Sequence, residues 1–425
     1  MTTTPLLHPA PVAGVAAAAD MPPLDAWLYR HQSSGAMCMT AGLLAWCTGT
    51  PPTLAELREL AGDRWKRHQR LTLTPVCDTA PDSWPRWAPV TGFDMAGQVL
   101  AEETGPALEA RVAQLLAQPL GPGRPPWQLH LLPAADGFAL LLRAHHALLD
   151  GKSLISLMCA LFDGRPERPG LLRRPLPQGP SRRAALARAL ADALPRARPL
   201  PFHGPVDARR AVGWSRLTRD ELGIARDSLA SGRASANAVF LAATAGALRS
   251  AGLLGRLPLL PGVCAMVPVD VRTPGEAVAL GNHYATVRVP LPVRRRPEQR
   301  LAALDRFTRR AALHRRARAQ ALLVSSRPHR TNALGEALGR YADSPLYSSL
   351  LCSSLASHLG PLTLGDAQLT GFSGLSPLSP GHPLALTMTL HDTAVTITAV
   401  SDHAHRALAA RLPMLIGDEI RALRP

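Results

Sequence analysis

Aromatic residues make up only 4% of this 425-residue chain, and no basic cluster is interleaved with stacking rings. A nucleic-acid groove needs both, so nucleic acid is excluded as the expected partner. Cysteine is scarce as well: six residues, at 38, 47, 77, 159, 264 and 352, with no CxxC pair. That spacing fits neither a zinc site nor a disulfide-stapled fold, and reduced thiols in a cytoplasmic enzyme account for it. No uninterrupted apolar run approaches the roughly 20 residues of a membrane span. The opening MTTTPLLHPAPVAGVAAAAD has no Lys or Arg at its start, so residues 1–20 make a poor signal peptide and read as a mobile tail. No GxSxG elbow occurs, which disfavours a serine-hydrolase route.

Acidic residues are the other shortage. Lys and Arg number 47 against 31 Asp and Glu, for a formal net charge of +16. An anionic partner is therefore expected: an anionic membrane or lipid surface touched peripherally, or an acidic ligand such as a nucleotide thioester or a carrier protein. Much of this charge is arginine in an alanine- and proline-rich background, which partly reflects composition. The chain is long for one core and suits two subdomains.

What the sequence does hold is one stretch where titratable groups meet a catalytic spacing, HHALLDG at 145–151. The apolar run Phe138 to Leu142 predicts a buried strand, and Ser153 to Leu161 a helix with Ser153 near its start. His146 then emerges where a strand ends, beside a sheet edge. A histidine suits proton removal from an alcohol or amine at neutral pH, because its ordinary pKa of about 6.5 leaves much of it neutral. His146 is the candidate general base, with His145 beside it. Asp150 admits two roles, orienting the imidazole or forming a buried ion pair with a distant arginine, and the second is favoured. Gly151 permits a sharp turn or a close substrate approach. The plainer alternative is a histidine pair beside an ordinary helix cap, but the full HHxxxDG spacing is rare by chance.

HHALLDG, with PLGPGRPPWQLHLL at 119–132 before it, resembles the acyltransferase superfamily of chloramphenicol acetyltransferase, condensation domains and bacterial wax ester synthase/diacylglycerol acyltransferases. The last group is the most similar. Pro23-Leu24-Asp25-Ala26-Trp27-Leu28 is similar to its PxDxxFL segment, Pro119 through Trp127 to its PLDRxRPLW run, and Val267 to Pro292 to its VPVxxR…LGN…VPLP block. The resemblance implies an α/β fold of two chloramphenicol-acetyltransferase-like subdomains, with mixed sheets flanked by helices and an active-site tunnel between them. It implies no metal and no cofactor, with acyl-CoA or an acyl carrier protein thioester as substrate and an alcohol as acceptor. It also makes Arg272 the candidate ion-pair partner of Asp150. Ser357 in LLCSSLASHLGP, Asn282 of the LGN block and Asn237 become candidates for substrate or oxyanion contact. The family pairs that last asparagine with an acid where this chain has Ala238, and Ser357 replaces an asparagine.

The expected division is 21–175 for the subdomain carrying HHALLDG, 176–210 for a crossover linker with a helical patch near Ala184 to Leu194, and 211–425 for the second subdomain. Elsewhere, Leu54 to Ala61 predicts a helix capped by Thr53. Ser235 to Ala251 predicts a buried helix. Pro297 to Ala321 predicts one arginine-rich helix, either solvated or facing an acidic partner or membrane. Leu350 to Pro361 predicts one strand. His403 and His405 lack a third ligand for a metal. Three activities remain open on sequence: an acyl-CoA-dependent alcohol or diacylglycerol O-acyltransferase, a carrier-protein-dependent condensation enzyme forming an ester or amide, and a non-catalytic binding protein of this fold.

Overall fold

The computed structural model describes residues 18–33, 38–76, 83–90, 94–103, 107–166, 181 and 196–424, without 258, 294–295, 326–332, 358 and 393, and with scattered positions between 183 and 194. Residues 1–17 lie outside the described residues, as do 14 of the 35 positions of the expected crossover 176–210, among them most of its helical patch.

The first half runs β1 (Ala19–Asp20), α1 (Pro23–Ser33), β2 (Thr40–Thr48), α2 (Leu54–Trp65), β3 (Leu73–Val76), β4 (Arg86–Pro89), β5 (Val99–Ala101), α3 (Leu108–Ala117), β6 (Trp127–Ala134), β7 (Gly137–His145), α4 (Gly151–Ala160) and β8 (Asp163–Pro166). The second half runs β9 (Arg210–Thr218), α5 (Arg219–Asp227), α6 (Ala236–Ser250), β10 (Cys264–Asp270), β11 (Tyr284–Pro290), α7 (Pro297–Thr308), α8 (Arg310–Ser325) and α9 (Ala333–Ala342). It closes with β12 (Leu350–Ala356), β13 (Leu359–Leu364), β14 (Ala367–Leu375), β15 (Leu384–His391), β16 (Ala394–Asp402) and α10 (Arg406–Arg421).

Two mixed sheets organise these elements. The first has the order β5-β6-β7-β2-β14-β13-β8, and the second β11-β10-β12-β15-β16-β9. β2 and β7 sit at the centre of the first sheet, which is why both read as near-continuous apolar runs buried on both faces. A small ribbon, β1-β4-β3, includes Ala19 and Asp20, paired with Trp87 and Arg86, where a tail was expected.

Local chemistry sets the helix boundaries. Thr53 and Glu56 form a reciprocal capping box on α2. Ser235 accepts the Ala238 N–H and starts α6, whose small residues let neighbours pack on nearly every side. The expected single helix from 297 is two helices, because Arg309 leaves helical geometry at φ −48° and ψ 127°. The expected strand 350–361 also divides, at Ser357. β12 pairs with β15 in the second sheet, and β13 crosses to the first. Residues 359–375, which the division at 211 assigns to the second subdomain, therefore supply two strands of the first sheet.

A minor apolar core joins the sheets, with Leu44, Trp46 and Leu141 facing Val212, Ala385 and Val400. Trp46 meets Trp214 edge-on at 5.2 Å. Larger cores lie under α2 and α4 on one side and under α6 and α10 on the other. Among the described residues no helix is long and apolar enough to cross a membrane.

Candidate active site

β7 ends at His145 and delivers the turn 146–148 to the seam between the sheets. The turn is held by its backbone. The His146 N–H donates to the Met39 carbonyl at 2.8 Å. The carbonyls of His146 and Ala147 accept from Asn282 Nδ2 at 2.8 and 3.0 Å, and those of Ala147 and Leu148 accept from Arg70 Nη2 and Nε at 3.0 Å each. Buried Asp25 stands behind both donors, accepting from Asn282 Nδ2 at 2.9 Å, from Trp87 Nε1 at 3.2 Å and from Arg70 Nη2.

The two histidines are in opposite tautomers. His146 Nδ1 lies 3.2 Å from the Leu149 carbonyl, which can only accept, so the proton sits on Nδ1 and Nε2 keeps its lone pair. The Tyr284 ring stacks on His146 at 5.6 Å and 18°, with its hydroxyl 3.5 Å from Nε2. Burial lowers the His146 pKa below the ordinary 6.5, with the negative charge of Asp150 acting in the opposite direction. His146 nevertheless remains partly exposed. Its ring is neutral at neutral pH, with the Nε2 lone pair available as an acceptor. His145 accepts the Ala147 N–H at its Nδ1, and its Nε2 is buried with no partner among the described residues. Burial and the neighbouring His146 bring its pKa down to about 3, so it stays neutral as structure.

Asp150 does not touch the His146 ring in any described hydrogen bond. It caps α4, which has Ser153 near its start as expected, with Oδ1 accepting from the Ser153 N–H at 2.8 Å and its hydroxyl at 2.7 Å. Arg272 grips both carboxylate oxygens at 2.9 Å, and the His283 N–H donates to Oδ2 at 3.1 Å. Arg272 is itself buried and reaches Asp270 at 3.2 Å and the Ala279 carbonyl at 3.0 Å. Burial works against its charge, but the two carboxylates outweigh it and raise its pKa. Lys152 closes the group on Asp270 at 2.6 Å. The predicted ion pair is thus a clamp between the two halves of the chain, with every charge matched.

Other expected contacts fall elsewhere. The donors of Asn282 are committed to backbone carbonyls and Asp25, so it positions the turn and does not face an oxyanion. Ser357 lies beside Cys159 at 3.6 Å, near the far end of α4. Asn237 sits in the first turn of α6, against α7 through the Ser235 to Asp305 contact at 3.4 Å; its Oδ1 is buried without a partner among the described residues. Gly151 has no left-handed backbone, and a Cβ there would meet Leu355 Cδ2 at 2.9 Å; a leucine from β12 takes the space expected for substrate. His405 is bound to Asp402 at 2.6 Å. Sequence reading assigned no role to Asp25, Arg70 or Tyr284. Asp25 stood inside the N-terminal motif and Tyr284 two positions after Asn282, whereas nothing local marked Arg70.

Known proteins match this chain in family and in fold. Residues 21–252 match the family described as wax ester synthase/diacylglycerol acyltransferase catalytic domain. A putative diacylglycerol O-acyltransferase of Mycobacterium tuberculosis is 29% identical over 84% of this chain and 79% of its own length. Among solved structures, the wax ester synthase/diacylglycerol acyltransferase of Marinobacter aquaeolei superposes with a TM-score of 0.65 at 17% identity, over 95% of this chain and 98% of that one. A trichothecene 15-O-acetyltransferase of Fusarium sporotrichioides gives 0.65 at 14%, over 95% and 94%. The first condensation domain of the CDA synthetase gives 0.62 at 15%, over 97% and 98%, so the two-sheet architecture is that of the condensation-domain and chloramphenicol-acetyltransferase fold. With 21–252 covering more than half of it, the chain belongs to the wax ester synthase/diacylglycerol acyltransferase family and is an acyltransferase of that type.

Proposed function

We propose that this enzyme moves an acyl group from acyl-CoA to the hydroxyl of an alcohol or a diacylglycerol, with His146 as general base. The observation that carries the reading is the tautomer of His146. Its Nδ1 proton is held by the Leu149 carbonyl, and the Nε2 lone pair sits at the seam between the sheets. Nε2 takes the acceptor's hydroxyl proton as the oxygen attacks the thioester carbonyl. The tetrahedral oxyanion collapses, the C–S bond breaks, and the thiolate recovers the proton from Nε2–H. Products are an ester and coenzyme A thiol. Tyr284 is the hydroxyl donor beside this centre. Burial, reinforced by the negative charges of Asp150, Asp25 and Asp343, raises its pKa and keeps it protonated throughout the working range. Asp150, Arg272, Asp25, Arg70 and Asn282 act by fixing the turn.

The test supplies acyl-CoA or an acyl-loaded carrier protein, each with long-chain alcohols and diacylglycerol, and detects the product by mass spectrometry. Ester formed from acyl-CoA with release of free thiol supports the reading. Turnover with the loaded carrier protein alone replaces it with a condensation-type activity, and no turnover with either donor contradicts an active enzyme.

A further inference from the structure

We propose that Cys38 is a modification site, a thiol that exchanges with small anionic disulfides and, once capped, slows acyl transfer by loosening the strand end that holds the HHALLDG turn. The exchange itself does not rest on the identity of the acyl donor. Its effect on turnover rests on His146 as the base.

Among the described cysteines Cys38 alone is partly exposed. Cys47, Cys159, Cys264 and Cys352 are buried, and burial raises the thiol pKa of Cys47, Cys159 and Cys352, which keeps those sulfurs unreactive. Cys77 lies outside the described residues. Cys38 Sγ is 2.9 Å from Thr40 Oγ1 and donates to the Gln118 carbonyl at 3.6 Å. Arg143 Nη1 donates to that same carbonyl at 2.9 Å, so its guanidinium stands beside the thiol. Arg210 comes from the start of β9 in the second sheet and is only 6% exposed. Its Nη1 donates to the Ala208 carbonyl at 2.9 Å, whereas its Nη2 is buried without a partner among the described residues. Burial lowers the pKa of both arginines, and a thiolate at Cys38 opposes that in both; on Arg210 it acts more strongly than the carboxylates of Asp402 and Asp207. An unused buried donor costs stability, and negative charge arriving at Cys38 is what satisfies this one.

Thiol–disulfide exchange brings such charge. The Cys38 thiolate attacks one sulfur of the incoming disulfide, and a new S–S bond forms to Cys38 as the incoming S–S bond breaks. The leaving thiolate takes up the proton that Cys38 gave up, and no further oxidant is needed. Between these states the negative charge is spread over the attacking, central and leaving sulfurs, where the Arg143 and Arg210 guanidiniums stabilise it. The same pair draws in a disulfide that carries carboxylates and repels one that carries ammonium groups. The next two residues carry the effect to the turn. The Met39 carbonyl accepts the His146 N–H at 2.8 Å, and Thr40 pairs across the sheet with His145. A cap on Cys38 Sγ breaks its contact with Thr40 Oγ1 and forces this strand end to shift.

The experiment incubates the full chain with oxidised glutathione and, separately, with cystamine, a cationic disulfide. Intact mass, peptide mapping of the adduct and acyl transfer are followed together. The expected result is a single glutathione on each chain, at Cys38, formed at least about tenfold faster than the cystamine adduct. Acyl transfer should fall at least about fivefold as the adduct forms and return on reduction with dithiothreitol. Cys38→Ser keeps a hydrogen-bonding group beside Thr40 and should show the parent's melting temperature and turnover, with no adduct and no loss of activity in oxidised glutathione. Absence of an adduct, an adduct on another cysteine, cystamine reacting as fast, or full turnover by the capped protein would each overturn the proposal. The mass measurement needs no turnover, so its outcome is separate from the test of His146.

Discussion

The two ends of the β10–β11 ribbon handle positive charge in opposite ways. At the Asp270/Tyr284 end, Arg272 and Lys152 are matched by Asp150 and Asp270. At the Cys264/Pro290 end, the guanidiniums of Arg198, Arg288 and Arg316 donate to the backbone carbonyls of Leu260, Leu194 and Arg288 in turn. The first arrangement makes a rigid support for a turn that must hold an imidazole in one orientation. The second braces the end of the sheet, with Arg288 lying over the Tyr347 ring and Arg316 over Phe307. A chain can therefore be strongly basic overall while the end that holds the HHALLDG turn is neutralised, so net charge does not report the charge at that turn.

Breaking the matched end should be the most damaging change. Arg272→Met leaves Asp150 buried without its partner and should cost about 3–5 kcal/mol, read as a lower denaturant midpoint, with activity lost alongside. An unchanged midpoint would mean that the clamp does not join the two halves. Asn282→Ala should act through the turn, lowering kcat about tenfold with KM little moved, since an unmade bond to a buried carbonyl costs about 1–3 kcal/mol. A rise in KM alone would assign Asn282 to substrate contact. Acid should come next. His145 is neutral in the fold, with a pKa of about 3. The unfolded chain therefore binds the extra proton between about pH 6.5 and pH 3, so stability is lost as pH falls through that window, by about 1.4 kcal/mol per pH unit. Burial holds His130 at about 3 and His203 at about 4, and both add to this slope. Unfolding midpoints that do not move between pH 7 and pH 5 would contradict it. The smallest effect belongs to Gly151→Ala, below about 1 kcal/mol, because only the flexible tip of Leu355 has to move. A large loss of activity there would restore the expected substrate approach.

Much of this was legible in the sequence because the signals were local. The apolar run of β7, the Thr53 cap and the doublet at 145–146 depend on neighbours a few residues apart. The Asp150–Arg272 pair spans 122 positions and was expected only through family resemblance. Arg70 reaches the turn 77 positions away with no motif around it. The break at Arg309 carries no Gly or Pro, and the crossing at Ser357 is set by which sheet has an open edge for β13; neither is written in local propensity. Asn282 shows the reverse case, where a recognisable motif residue serves the backbone and not the substrate.

The most direct test of the account is the pH dependence of kcat/KM for acyl transfer, measured on the parent and on His146→Ala. With Nε2 as the base and its pKa below 6.5, the parent should rise with pH along a single acid limb centred below 6.5 and then level off. His146→Ala should lose about 10²–10⁴-fold in rate, and that limb with it, while melting like the parent. A His146→Ala protein that keeps the parent's rate and the same acid limb would contradict the assignment of the base.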